Sequence, residues 1–372
     1  MKVTPVNNIS TAKAFIQMPH FIYKNDEQWI CPLDSDIEAI FDEKLNSFHR
    51  HGKCHRWILQ QDNQTIGRIA AFINEEKAYK SELPTGGVGF FECINNIDAA
   101  FLLFDTAKAW LQSQGMKAML GPINFGENDK YWGLLVEGFK PPSYGMNYNP
   151  PYYISFFEEY GFVKEYDQLT NYLDLTVPFT NHFTKIAEWV MKKPGYTFEP
   201  LDIARYEKYA SDFREIYNDA WLNFENFTPI EPAVINESFR QMKAIINPKF
   251  IWFAYYNNEP VAFLLCLPDI NQILKHVHGK LDLIGKLKYL WYKTFAKIDR
   301  LRIIVMGCKQ QFQNHGLESA LIRKVQLEVA KYKHIKGVEL AWVGDFNDKM
   351  LAIHTATGAT KDKVHRTYVC KF

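Results

Sequence analysis

The sequence has little charge of one sign, no paired cysteines and no long apolar run, and each shortage removes a class of function. Lys plus Arg number 43 against 42 Asp plus Glu, so no global field draws the chain to DNA or to a membrane. The six cysteines (Cys31, Cys54, Cys93, Cys266, Cys308, Cys370) lack Cys-x-x-Cys spacing, which predicts reduced core thiols and neither a zinc site nor a disulfide framework. No apolar stretch reaches the length of a bilayer span, and no basic segment followed by a long apolar run opens the chain. A cytoplasmic protein without a membrane span, a DNA partner or a metal is the expectation.

What is present suffices for a folded protein: 47% of residues are hydrophobic and 23% charged, and 372 positions exceed one ordinary core. Two hairpins set the organisation. Trp57 to Phe72 is a pair of apolar runs split by Asp62-Asn63, and Trp252 to Leu265, split by Asn257-Asn258, repeats the design 195 positions on. Tyr160-Gly161-Phe162 and Thr357-Gly358-Ala359 close the halves at an offset of 197, and Gly115 to Leu120 echoes Gly337 to Trp342. Two copies of one domain, roughly 180 residues each, account for this. The first spans residues 1–180, a linker covers 181–195 with Pro194-Gly195 at its end, and the second copy spans 196–372.

In the first copy, Gly86 to Cys93 reads as the central strand and Asp98 to Leu111 as the helix after it. The link between them offers Asn96 or Asp98 as a helix cap and no glycine cradle. Glu38 to Phe48 has the apolar spacing of one helix, while Pro19 to Tyr23 and Trp29-Ile30 read as short strands or a docked arm. The long connection from Gly121 to Tyr153 is rich in Gly, Pro, Asn and aromatic residues. It suits a lid or pocket wall, or equally a loop packed between the domains.

The stretch that organises the chain is Arg302 to Ala330. An apolar run, Ile303-Ile304-Val305-Met306, leads through a polar turn, Gly307 to Glu318, into residues of helical pattern from Ser319. A strand that passes through a glycine-bearing turn into a helix leaves backbone N–H groups unpaired, and with the helix dipole they suit a phosphate-bearing ligand. An ordinary loop before a surface helix is the plain alternative. Downstream come a second apolar run, Gly337 to Val343, then Gly344-Asp345-Phe346-Asn347, a short helix pattern from Met350 to His354, and Gly358-Ala359.

This order resembles the C-terminal half of the GNAT acetyltransferase superfamily. There the turn is written Arg/Gln-x-x-Gly-x-Gly/Ala, and a later helix carries Asn, Ala three on, Tyr seven on and Gly eleven on. Asn347, Met350, His354 and Gly358 fall at those intervals. Glu318 replaces the last small residue of the turn, and His354 the Tyr. A carboxylate at that place would repel a diphosphate unless it turns away. The resemblance implies an α/β fold: two GNAT-like domains in tandem, each a central mixed sheet flanked by helices. The missing glycine cradle after Cys93 marks the N-terminal copy as degenerate, with phosphate binding lost.

Acyl transfer from a thioester needs a cradle for the coenzyme, a base for the acceptor amine and an acid for the departing thiolate. By the resemblance, the backbone of Gln311, Phe312, Gln313, Asn314, His315, Gly316 and Leu317 cradles coenzyme A. His354 becomes the acid, since a neutral imidazole can donate to a thiolate and its ordinary pKa of about 6.5 is nearer neutrality than a phenol's of about 10; an ordinary helix histidine is the alternative. Asn347 holds the pantetheine arm or caps the last helix. Glu339 and Asp345 are the carboxylates placed to face a cleft between the strands, and a bound water could act as base instead. Glu225 and Phe227, between two amphipathic helices, are the acceptor-binding candidates against a solvated loop.

The implied function is N-acyltransfer from acetyl-CoA or another acyl-CoA to a small-molecule or peptidyl amine, by an enzyme that transfers acyl groups other than aminoacyl. Two alternatives stay open: a catalytically inactive GNAT-fold binding protein, and an aminoacyl or acyl transferase that uses a carrier RNA or cell-wall precursor. Residues 268–300 are an insertion in the second copy, basic and aromatic. Leu281, Ile284, Leu287, Leu290, Trp291 and Phe295 recur there at helical spacing, predicting a helix that packs one face and hydrates the other. The other reading is a surface for an acidic substrate, a lipid headgroup or RNA.

Overall fold

Both hairpins form, with one kind of turn. Asp62 and Asn63 have φ of 49° and 63°, and Asn257 and Asn258 have φ of 48° and 69°. Two successive residues at positive φ match the right-handed twist of flanking strands, and Asn and Asp tolerate that region best after glycine. The computed structural model describes residues 1–80, 82–223, 229–232, 235–236, 239–240 and 246–372.

The first half contributes β1 (Lys2–Pro5), β2 (Gly52–Gln61), β3 (Gln64–Asn74), β4 (Thr85–Cys93), β5 (Ala118–Gly121), β6 (Leu134–Glu137) and β7 (Val163–Asp174). The second contributes β8 (Tyr196–Pro200), β9 (Ile251–Tyr256), β10 (Glu259–Pro268), β11 (Arg300–Cys308), β12 (Gly337–Glu339), β13 (Val343–Gly344) and β14 (Thr360–Lys371). Among the described residues they form one mixed sheet in the order β1-β2-β3-β4-β5-β14-β7-β12-β11-β10-β9-β8, with β6 beside β14 and β13 beside β7. The closing strand of each copy therefore lies in the other: β14 pairs with β5, and β7 pairs with β12. In the antiparallel β7–β14 ladder Gln168 faces His365. These two positions are also 197 apart, the repeat offset, so the approximate twofold axis runs between them.

Helices cover both faces, and the period-two alternation of the hairpins decides which side chain meets which helix. Phe253 and Phe263 pack with Tyr209, Phe213 and Ile216 of the helix Tyr206–Ala220. Their neighbours Ala254, Ala262 and Leu264 pack with Leu317, Leu321 and Val325 of the helix Leu317–Val329. In the first copy, Ile58 and Ala70 meet the helix Ile9–Ile22, while Leu59, Ile69 and Ala71 meet the helix Ile97–Ser113. Each Leu or Phe so buried contributes about 1.5–3 kcal/mol.

Several local expectations change. Pro19 lies inside a helix, Ile9–Ile22, and not in a strand or arm. An Asn8/Thr11 capping box starts it. Pro19 cannot donate to the Phe15 carbonyl four residues back, and the buried Arg68 guanidinium takes that place at 2.8 Å. The helix expected over 38–48 is divided into Asp34–Ile40 and a 3-10 turn, Ser47–Arg50, whose start Asn46 caps. The run expected over 337–343 pairs only as β12 and β13, with a break between them. The long connection 122–152 of the first copy and the insertion 269–299 of the second meet. Asn271 Nδ2 donates to the Pro142 carbonyl at 2.8 Å, and the Tyr144 amide donates to Asp269 at 3.3 Å. The helix Leu283–Phe295 of this insertion reverses the expected orientation: its apolar stripe faces outward.

Candidate functional site

The turn after β11 spends its early backbone donors and leaves those at the start of the following helix unpaired. Lys309 pairs with Glu215 and Glu259, the Gln310 amide donates to Asp219, and Gln310–Phe312 forms one 3-10 turn with Phe312 buried. Asn314 and Gly316 then take positive φ, 66° and 79°, and the helix Leu317–Val329 begins at Gly316 with no side-chain cap. The first helical bond runs from the Ala320 amide to the Gly316 carbonyl at 3.1 Å. Among the described residues, nothing accepts from the amides of Leu317, Glu318 and Ser319. A side chain at Gly316 would meet Val190 Cγ2 at 3.0 Å. His315 Nδ1 lies 3.0 Å from the Tyr196 hydroxyl, and Lys349 Nζ reaches Gln313 Oε1 at 3.1 Å across the rim. Glu318 is buried beside the Cys308 thiol.

The equivalent place in the first copy is closed by the chain itself. Asn96 Oδ1 accepts from the Ala99 amide at 2.9 Å, the Tyr153 hydroxyl accepts from the Cys93 amide at 2.7 Å, and the Tyr152 hydroxyl donates to the Cys93 carbonyl at 3.0 Å. A small cavity of about 70 Å³ survives nearby, over a buried Arg68 and Glu92. Tyr23 and Tyr153 donate to Glu92 Oε2 at 2.8 and 2.9 Å. Burial raises the Glu92 carboxyl, although Arg68 and the two phenols oppose the rise. Space of this size holds a few waters and not a coenzyme.

Beside the open turn, β11 and β12 run parallel as far as the pair Arg302–Glu339 and then part, because Leu340 donates to Asn171 of β7 instead. Glu339 is fully buried, with Lys363 Nζ at 2.9 Å and Arg302 Nε at 3.7 Å. Burial alone would raise its carboxyl, but Lys363, Arg302 and Arg300 hold it down at about 2. A carboxylate so stabilised is a poor proton acceptor. Asp345 pairs at the surface with Lys164, 2.7 Å away. His354 is buried, not partly exposed: burial pushes its imidazole down to about 4, and Nδ1 accepts from Asn171 Nδ2 at 2.9 Å, which leaves the proton on Nε2. Asn347 accepts from the Met350 amide at 3.2 Å and so caps the helix Asp348–Thr357. No hydrogen bond joins Glu339, Asp345 and His354 to one another. Glu225 and Phe227 lie outside the described residues.

The wall of this cleft comes from the first copy, out of the long connection that the sequence offered as a pocket wall or as a loop packed between the domains. Trp342 Nε1 donates to the Asn128 carbonyl at 3.2 Å, the Trp132 ring lies 6.3 Å from that of Trp342, and the Arg302 guanidinium lies 5.1 Å from the Trp132 ring. Arg302 Nη1 also donates to the Tyr144 carbonyl. Asp129, next to Asn128 on the same connection, is exposed, and desolvation raises its carboxyl despite Lys130 and Arg302. Trp132 Nε1, Gln168 Nε2 and His365 Nδ1 are buried at this junction without a hydrogen-bond partner, while Arg302 Nε and Glu339 Oε1 meet only each other, as an ion pair at 3.7 Å. Such atoms mark a place where solvent or ligand is wanted. The alternation Lys363, His365, Thr367 is a further signal in the sequence, and all three side chains prove fully buried.

His20, Cys31 and Asp34 bring their ligand atoms within 4.8 Å of one another, although their spacing suggested no metal. The charge of Lys280 crowds the same spot.

No protein-family model matches the chain. It is 28% identical over 376 residues to a bacterial ceramide synthase of Caulobacter vibrioides, covering 99% of this chain and 97% of that protein. It is likewise 28% identical over 367 residues to protein YghO of Escherichia coli strain K12, covering 97% and 93%. Among solved structures, it resembles a tandem GNAT protein from the clavulanic acid biosynthesis pathway with a TM-score of 0.56 at 10% identity, covering 100% of this chain and 98% of the other. A GCN5-related N-acetyltransferase from Sphaerobacter thermophilus gives a TM-score of 0.51 at 10% identity, with 99% and 95% covered.

Proposed function

Since the fold is that of the tandem GNAT proteins, we propose that the chain is an N-acyltransferase that moves a fatty acyl group from an acyl-CoA to the amine of a long-chain amino alcohol. The observation that carries this reading is the trio of unpaired amides at Leu317, Glu318 and Ser319, open in the second copy where the first is capped. Backbone donors at a helix start suit a diphosphate, and Gly316 leaves the approach free of a capping side chain. The acceptor class rests on the ceramide synthase likeness, a ceramide being the amide of a fatty acid and a long-chain amino alcohol.

Bound there, acyl-CoA would supply the activated carbonyl. Asp129, on the connection that brings Asn128 and Trp132 to Trp342 and with its carboxyl raised by desolvation, is the group we assign to relieve the amine of its proton. His354 stays neutral at physiological pH and carries its proton on Nε2, so it can hydrogen-bond to the departing thiolate, whose proton comes from the amine by way of Asp129. Glu339, fixed as an anion by Lys363 and Arg302, orders the floor.

The test incubates purified protein with palmitoyl-CoA and sphinganine, and follows amide by mass spectrometry and thiol by absorbance. Amide and thiol should appear in equal amounts, and Asp129→Asn should lower kcat by roughly 10²–10⁴-fold, the scale of general-base catalysis. Absence of product, together with no heat on titrating acyl-CoA, would remove the reading.

A further inference from the structure

The segment Leu281–Lys297 belongs to neither repeat, and among the described residues it carries the largest run of exposed apolar side chains. Its helix, Leu283–Phe295, starts at Asp282, whose carboxylate accepts from the Gly285 amide at 2.8 Å. One face holds the helix to the body. Gly285 sits against the Lys280 carbonyl, Tyr289 packs beside Leu33, Leu274 and Val277, and Tyr292 stacks on His276 with centroids 3.7 Å apart.

The other face is unpartnered. Leu283, Ile284, Leu287, Leu290, Trp291 and Phe295 are between 57% and 76% exposed. At 100° per residue they fill an outward arc of about 140°. Lys288 borders that arc on one side, Lys286 and Lys293 on the other, and Lys297 follows the helix. The sole acid between 281 and 297 is Asp282, engaged as the cap. A contiguous apolar patch rimmed by cations is rare on a monomer's surface.

We infer that this helix lies in the surface of an anionic bilayer, its apolar arc sunk to the boundary between headgroups and acyl chains. Trp291 has the amphipathic ring favoured at that depth, and lysines on both margins reach headgroup phosphates while their stems lie along the apolar arc. The charge pattern selects this occupant over others. A second copy of the helix would bring lysine margins against lysine margins. RNA would meet aliphatic side chains at the centre of the surface where phosphate contacts need cations. The helix is far too short to cross the membrane, and no described helix is long and apolar enough to do so. The inference stands apart from the transferase reading, and its test measures no transfer.

The full chain is sedimented with vesicles of phosphatidylcholine, with and without phosphatidylglycerol. Wild type should pellet with the anionic vesicles, and added salt should release it. Leu287→Glu, at an exposed site that leaves circular dichroism unchanged, should bind at least about tenfold more weakly. Changing Lys286, Lys288 and Lys297 together to Gln should weaken binding on the order of a hundredfold, about fivefold per lysine. The inference is overturned if wild type ignores anionic vesicles, or if Leu287→Glu binds as wild type does. It is also overturned if Leu287→Glu instead converts a dimer to a monomer in analytical ultracentrifugation, or if the lysine variant loses only polynucleotide binding.

Discussion

Single residues at the junction carry its pH behaviour. Lys363→Met would strip Glu339 of its nearest charge and leave a buried anion poorly compensated. Urea unfolding should show a loss of about 3–5 kcal/mol. His354 and His365 are both lowered to about 4 from 6.5, chiefly by burial. Their folded values lie below the unfolded one, so their stability is fully present above pH 6.5. It is lost as pH falls towards 4, when the unfolded chain takes protons that the folded chain refuses, by up to about 3 kcal/mol each. Glu339, lowered to about 2 from 4.5, stabilises above pH 4.5 and loses that contribution between 4.5 and 2. Stability against pH should therefore fall in two windows, and His354→Gln should shrink only the upper one. Of these residues the sequence singled out Glu339 and His354 and missed Lys363 and His365. Near a chain end, an alternation of Lys, His and Thr reads as one wet edge, and only the pairing of β14 between two strands buries it.

At the level of elements, the turn and the last helix separate two readings of neighbouring residues. Gly316→Val forces a β-branched residue to a φ of 79° and against Val190, 3.0 Å away. It should cost about 2 kcal/mol of stability and raise the KM for acyl-CoA at least about tenfold, read in denaturation and steady-state assays. Asn347→Ala should cost about 1 kcal/mol of stability with KM unchanged, because its side chain is occupied by the Met350 amide. A raised KM there would restore the pantetheine role. The two hairpins, the strands β4 and β11 and the helices after them were legible because their apolar periods are strong. The helix Ile9–Ile22 was not, since Pro19 reads as a breaker until Arg68 is seen to satisfy Phe15. Nor was the outward face of Leu283–Phe295, because periodicity gives the width of an apolar stripe and not its direction.

For the whole molecule, the duplication was readable from paired hairpins and a fixed offset, but the exchange of β7 and β14 was not. An offset says which strands correspond and nothing of where each docks. Residues 1–180 made alone lack β14, which leaves β5 and β7 each with an open edge. Light scattering should find this fragment as a dimer or larger, its own β7 standing in for β14. Mixing with residues 195–372 should give a one-to-one complex. The same topology brings the connection 122–152 of one copy to the cleft of the other, so the candidate wall and the candidate cradle come from opposite halves of the chain. A symmetric pair of identical subunits would carry every substitution twice, once at each pocket. Joined end to end and interlocked, the halves are freed from that constraint: one could surrender its coenzyme seat and spend its loops on furnishing the neighbour's, at no loss to the seam that holds them.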